Sequence, residues 1–190
     1  SPGTDLTFFP FPGARPGRIG AGMTVETPFA VPVGSFPYWQ ARLVEHGVPV
    51  GPVETRFGEA TLPFVDPHGL RLALVESDDP RQFTPWADSP VPAERQLRGM
   101  HTVRLWERSL KATEALLTGR MGFALVAEED GWRRYAVDGG GSGKYVDIKE
   151  MPQERAGLSG AGTVHHVAFR VADTPEEMAV RAEVQAAGMQ

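Results

Sequence analysis

The chain contains no cysteine, which excludes disulfides, thiolate metal sites and a Cys nucleophile. No apolar run approaches the roughly 18 residues of a membrane-spanning helix, and no secretory signal opens the sequence. Neither His-x-His nor His-x-x-x-His occurs among the 5 histidines, so any metal site must draw its ligands from separate parts of the chain. A net charge of −5 gives no positive excess for nucleic acid or an anionic membrane surface. What remains is the composition of a water-soluble domain: 41% hydrophobic and 23% charged residues. A length of 190 residues suits one domain or two small ones. With 22 glycines and 17 prolines, many short strands joined by turns are expected.

The most informative stretch is residues 162–171, Gly-Thr-Val-His-His-Val-Ala-Phe-Arg-Val, a β-branched run opened by two histidines. Side chains alternate between the faces of a strand. His166, Ala168 and Arg170 are therefore expected on one face, and His165, Val167, Phe169 and Val171 on the other. Laid on itself at an offset of 140 residues, the chain places Thr24-Val25-Glu26-Thr27-Pro28-Phe29-Ala30-Val31 on residues 164–171, and Gly47 against Gly188.

A shorter unit repeats as well. Residues 23–31 read as a strand and 35–46 as a helix with Ser35 as N-cap and Gly47 as stop. Strands follow at 53–57, 60–65 and 70–76, the last two joined by the turn Asp66-Pro67-His68-Gly69. The next unit has a strand at 100–106, a helix at 109–120, and strands at 123–127, 132–137 and 144–149. Its glycine-rich stretch 138–143 reads as a hairpin loop, since no helix follows to bind an anion. Residues 5–9 read as a lone strand, and a last helix begins near Thr174, its N-cap, with Pro175 at the first helical position and Glu177 completing a capping box. The pattern is βαβββ, βαβββ, then βα. Starting at Ser1 and stopping at Gln190, the chain is expected to be an internal fragment.

This repeat, the strand opening with His-His and the Asp-Pro-x-Gly turn together resemble the glyoxalase/bleomycin-resistance/extradiol dioxygenase superfamily, the vicinal oxygen chelate fold. Residues 2–12 and 164–171 are similar to the four-module ring-cleaving dioxygenases that act on hydroquinones. The resemblance implies an α+β fold of repeated βαβββ modules. It divides the chain into the last strand of module one (1–18), module two (19–80), a linker (81–97), module three (98–150), a linker (151–161) and the start of module four (162–190).

It further implies a non-haem Fe(II) site, with Mn(II) the alternative, held by a His from module one and a His and a Glu from module four. His166 matches the metal ligand and His165 the neighbouring acid/base, with the other two ligands expected outside the chain. The implied substrates are a small aromatic and O₂, the implied compartment is the cytoplasm, and a homo-oligomer is allowed. In the complete modules the ligand positions fall on Glu26, Ala73, Thr102 and Asp147. Glu26 and Asp147 are either a second, carboxylate-only metal site or the polar lining of a vestigial cup. His46, His68 and His101 are expected to be structural, His101 with a pocket-lining alternative. Two other functions stay open: a glyoxalase-type lyase or isomerase, and a metal-free protein that binds an aromatic ligand.

Overall fold

The computed structural model describes residues 4–78 and 82–186. Each complete unit folds as expected. In the first, β1 (Met23–Val31), α1 (Phe36–Glu45), β2 (Glu54–Arg56), β3 (Glu59–Val65) and β4 (Arg71–Glu76) follow in order. In the second, β5 (Gly99–Met100) and β6 (Thr102–Glu107) precede α2 (Lys111–Arg120), β7 (Ala124–Glu129), β8 (Trp132–Ala136) and β9 (Tyr145–Glu150). The expected strand at 100–106 is thus split. His101 leaves the ladder, its N–H donating to the Pro28 carbonyl at 2.8 Å while its own carbonyl accepts from Gly143 at 2.7 Å.

The sheet order is β2-β3-β4-β1-β6-β9-β8-β7, which reads as two copies of one motif joined back to back. First and last strands of each unit pair in parallel, β1 with β4 and β6 with β9. Antiparallel pairing of β1 with β6, including Glu26 opposite Arg104, joins the units. The alternation of each strand sorts its residues by face. One face is apolar: Phe29, Val31, Leu62, Leu72 and Leu74 pack with Phe36 and Leu43 of α1 in one cluster. Val103, Tyr135, Val146 and Ile148 pack with Leu110 and Leu117 around α2 in a second. The other face carries Glu26, Thr61, Thr102, Arg104, Arg134 and Asp147, all buried. A flat sheet would hold β3 and β8 about 24 Å apart at roughly 4.8 Å per strand. Arg134 of β8 nevertheless bonds Glu59 of β3, and Glu129 of β7 accepts from the Phe57 N–H just beyond β2. The sheet therefore curls into a cup around its polar face.

Helix entry departs from expectation. The Ser35 hydroxyl is buried and makes no cap. Instead Glu76, the last residue of β4, accepts from the Phe36 N–H at 3.0 Å, and Glu150, the last residue of β9, accepts from Leu110 N–H at 3.3 Å. The same device closes both units: a carboxylate from the terminal strand meets the positive end of the helix. Glu76→Ala is expected to cost about 1 kcal/mol, the usual loss of an N-terminal cap, as read by urea unfolding. An unchanged midpoint would refute the capping role.

The outer segments also differ. Residues 4–10 and 164–171 join no ladder among the described residues, so the strands expected at 5–9 and 164–171 are not formed. A strand exists through its neighbour's hydrogen bonds, and neither segment has one here. Helix α3 (Thr174–Ala186) is present, capped by Asp173 rather than Thr174: the Asp173 side chain accepts from Glu176 N–H at 2.9 Å. The expected stop at Gly188 lies outside the described residues. Unforeseen is a brace between the stretches 15–21 and 155–161, with Gly17 N–H donating to Ala161 and Arg18 and Leu158 exchanging bonds at 2.8 Å. A side chain at Gly20 or Gly160 would collide with the Arg155 or Arg15 carbonyl, which explains glycine at those positions.

Candidate functional site

Two places hold chemistry-bearing side chains. The first is the cup. Arg56 Nη1 donates to both Glu26 oxygens at 2.9 Å, and Arg104 Nη1 donates to Glu26 Oε2 at 3.1 Å. On the other half Arg134 grips Asp147 with two bonds, Nε to Oδ1 at 2.8 Å and Nη2 to Oδ2 at 3.0 Å, and also donates to Glu59. His101 is 1% exposed and links Glu59 through Nε2 at 3.0 Å to the Ser142 hydroxyl through Nδ1 at 2.7 Å. That chain of Ser, His and Glu has the members of a nucleophilic triad, but Ser142 is 3% exposed, out of reach of a substrate. It ties the 138–143 loop to the cup, a structural role for His101.

These pairings correct the carboxylate-only metal site. The lone pairs of Glu26 and Asp147 are occupied by guanidiniums, and among the described residues no three His, Asp or Glu lie together as a metal group. The arginines were the missing signal in the sequence: Arg104 and Arg134 alternate with Val103, Leu105 and Tyr135, which point to the apolar face. An arginine at an inward strand position needs a buried acid opposite it.

Burial works against the charge of Glu59, but its bonds to and attraction by His101 and Arg134 outweigh that and hold its carboxyl below the ordinary range. Burial also opposes the charge of Arg134, yet Asp147 and Glu59 raise its pKa above the usual arginine value. Arg104 goes the other way: burial and the neighbouring Arg56 together outweigh Glu26 and Asp147 and lower it. Because Glu59 is depressed in the folded state, its stabilising contribution is full above the ordinary carboxylate pKa of about 4.3 and is lost as pH falls through the folded value. Glu59→Gln is expected to make unfolding less sensitive to pH below that range. Urea titrations at acid and neutral pH read the effect, and an identical acid sensitivity in the variant would contradict it.

At the mouth of the cup a cavity of about 410 Å³ opens between β1, β3, β4, β6 and β8. Its walls are Pro49, Val50, Pro63, Phe64, Trp106 and Trp132, with Glu26, Arg56, Arg71 and Arg104 among them.

The second place is the His-His pair. The segment carrying it is held by side chains: Val164 packs on the first apolar cluster, Val167 on the second, and Phe169 meets Phe123 edge-on at 6.0 Å. Opposite faces do not result. His165 and His166 are both exposed, their Nδ1 atoms 2.9 Å apart and both rings near Phe9, at 6.2 and 6.5 Å. Off a ladder, nothing imposes the alternation. The contact turns the two Nδ1 atoms toward each other and leaves both Nε2 atoms outside it. The described residues do not complete a metal site here, since two imidazoles stand without a carboxylate in their group.

The fold is the glyoxalase-like, vicinal oxygen chelate fold, and the sequence is similar to proteins named ring-cleaving dioxygenases. Its relatives are more specific. It is 38% identical over 177 residues to the Bacillus subtilis protein named "Putative ring-cleaving dioxygenase MhqO", covering 93% of this chain and 55% of that one. It is 34% identical over 194 residues to the chlorohydroquinone/hydroquinone 1,2-dioxygenase of Sphingobium indicum, covering 98% and 60%. A crystal structure of a putative dioxygenase from Bacillus subtilis superposes with a TM-score of 0.86 at 35% identity, over 94% of this chain and 56% of that one. Glyoxalase I from Zea mays, at TM-score 0.54 and 12% identity over 90% of this chain and 58% of that one, shares the fold. No protein-family model matches the chain. The chain thus spans little more than half the length of its curated relatives.

Proposed function

We propose that the protein carrying this chain is a ring-cleaving dioxygenase that inserts both atoms of O₂ into a hydroquinone or catechol-like aromatic, using non-haem Fe(II) or, as the alternative, Mn(II). The observation that carries the reading is the 34% identity to the chlorohydroquinone/hydroquinone 1,2-dioxygenase over 98% of this chain. His166 is the proposed metal ligand and His165 the proposed acid/base. That division rests on the resemblance to the ring-cleaving dioxygenases, and the Nδ1 contact leaves the Nε2 atom of each ring outside it.

Among the described residues no three His, Asp or Glu lie together, so the remaining ligands are assigned to the further length that the relatives possess, and no chemical step is derived through the ion. The cup of β1–β9 serves this reading as scaffold, its acids already neutralised by arginine. The cytoplasm is the proposed compartment, and among the described residues no helix is long and apolar enough to cross a membrane.

The test is oxygen uptake with hydroquinone by Fe(II)-loaded protein of the relatives' length. One O₂ consumed per ring opened is expected. Turnover of an α-keto aldehyde thiol adduct without oxygen uptake would instead place the protein with the lyases.

A further inference from the structure

The cavity at the mouth of the cup contains neither His165 nor His166, so what it binds is independent of the ring-cleavage reading. Its lining holds three guanidiniums, Arg56, Arg71 and Arg104, against one carboxylate, Glu26. Glu54, outside the lining, takes one further bond from Arg56, and Arg71 has no carboxylate partner among the described residues. Positive charge is therefore in surplus. Arg104 is 7% exposed, and its Nε is a buried donor without a partner, the nearest acid oxygen, on Asp147, lying 3.9 Å away. The indole N–H of Trp106, on the same wall, is a second buried donor without a partner. The surplus of cations in one wall favours a ligand that carries negative charge.

The rest of the wall describes the body of that ligand. Arg104 lies over Trp132 at 3.7 Å and Arg71 over Trp106 at 5.6 Å, so both cations sit on planar π faces, beside Phe64 and two prolines. Flat apolar walls receive a flat apolar ligand, and the volume lies within the range of about 300–1,000 Å³ usual for small-molecule sites. A monocarboxylate suits the site better than phosphate, which carries more charge to desolvate and no apolar body. Burial first, and then the neighbouring Arg56, lower the pKa of Arg104 from the ordinary arginine value.

We propose that this cavity is a binding site for a small planar aromatic carboxylate, with Arg71 and Arg104 taking the carboxylate and Trp106 and Trp132 flanking the ring.

Benzoate is the probe, with benzamide as its neutral isostere and inorganic phosphate as an anion without a ring. Binding to the full chain is read by calorimetry and by quenching of tryptophan fluorescence. Saturable benzoate binding below about 10 mM is expected, with benzamide and phosphate each at least about tenfold weaker. Arg71→Met, on an exposed side chain, leaves the buried pairs intact and is expected to weaken benzoate at least about tenfold. Arg104→Met should do the same, and its circular dichroism reports whether it folds. Equal binding of benzoate and benzamide, phosphate binding as tight as benzoate, undiminished binding by Arg71→Met, or no saturation would each overturn the proposal.

Discussion

Replacing His166 by alanine, in a protein of the relatives' length that carries this chain, is expected to reduce ring cleavage by more than about a hundredfold. Loss of a residue that merely orients a metal ligand already costs about 10–100-fold in affinity or activity, and His166 is the proposed ligand itself. Metal content should fall with activity. His165→Ala should act differently. If that imidazole moves a proton rather than holding the metal, metal content stays and turnover drops by about 10²–10⁴, the usual contribution of a general acid or base. Equal metal content and activity in His166→Ala and wild type would remove this residue from the reaction. Rates under saturating hydroquinone and O₂, with iron measured on the same samples, separate the two roles.

Arg134→Ala is expected to destabilise the fold by about 3–5 kcal/mol, the cost of leaving a buried charge without its partner. Asp147 has a side chain 2% exposed and receives both forks of the guanidinium, and Glu59 would keep only His101. Arg134 also lies between the rings of Phe57 at 4.2 Å and Tyr145 at 4.6 Å, so the truncation opens a void as well. Urea unfolding measures the loss. The double variant Arg134→Met, Asp147→Leu should recover most of it, because removing both charges removes the desolvation cost. A loss below about 1 kcal/mol, the value of an exposed pair, would show that the cup is not closed around these residues.

The two βαβββ units were legible because each strand alternates and each helix follows its strand at a short loop. Thr27, Phe29 and Val31 fall on one face of β1, Glu26 and Pro28 on the other, and the sequence carries that pattern without help. The turn at residues 66–69 was equally plain: Asp66 accepts from the His68 and Leu70 N–H groups at 2.8 Å and Gly69 takes φ +92. What escaped was set by contacts far along the chain. Glu26 and Asp147 were visible as inward acids, but Arg104 and Arg134 meet them only through the register of β6 on β1 and of β8 on β9, and Arg56 comes from β2, which the curl of the sheet brings near. Ser35 has the residue type of a cap, yet Glu76, 40 residues beyond Phe36, accepts the Phe36 N–H. The brace of 15–21 with 155–161 rests on backbone groups and glycines, which leave no periodic trace. Residues 5–9 and 164–171 have strand composition, and composition alone does not supply a neighbour to pair with.

The central claim is that ring cleavage needs metal ligands beyond the His165–His166 pair, and that the cup of β1–β9 is not itself the reactive centre. The direct measurement is oxygen uptake by the 190-residue chain supplied with Fe(II) and hydroquinone in excess. No uptake above that of Fe(II) and hydroquinone without protein is predicted, because a working site of this kind takes about three protein ligands with positions left open. Sustained, protein-dependent oxygen consumption with ring opening by this chain alone would contradict the account.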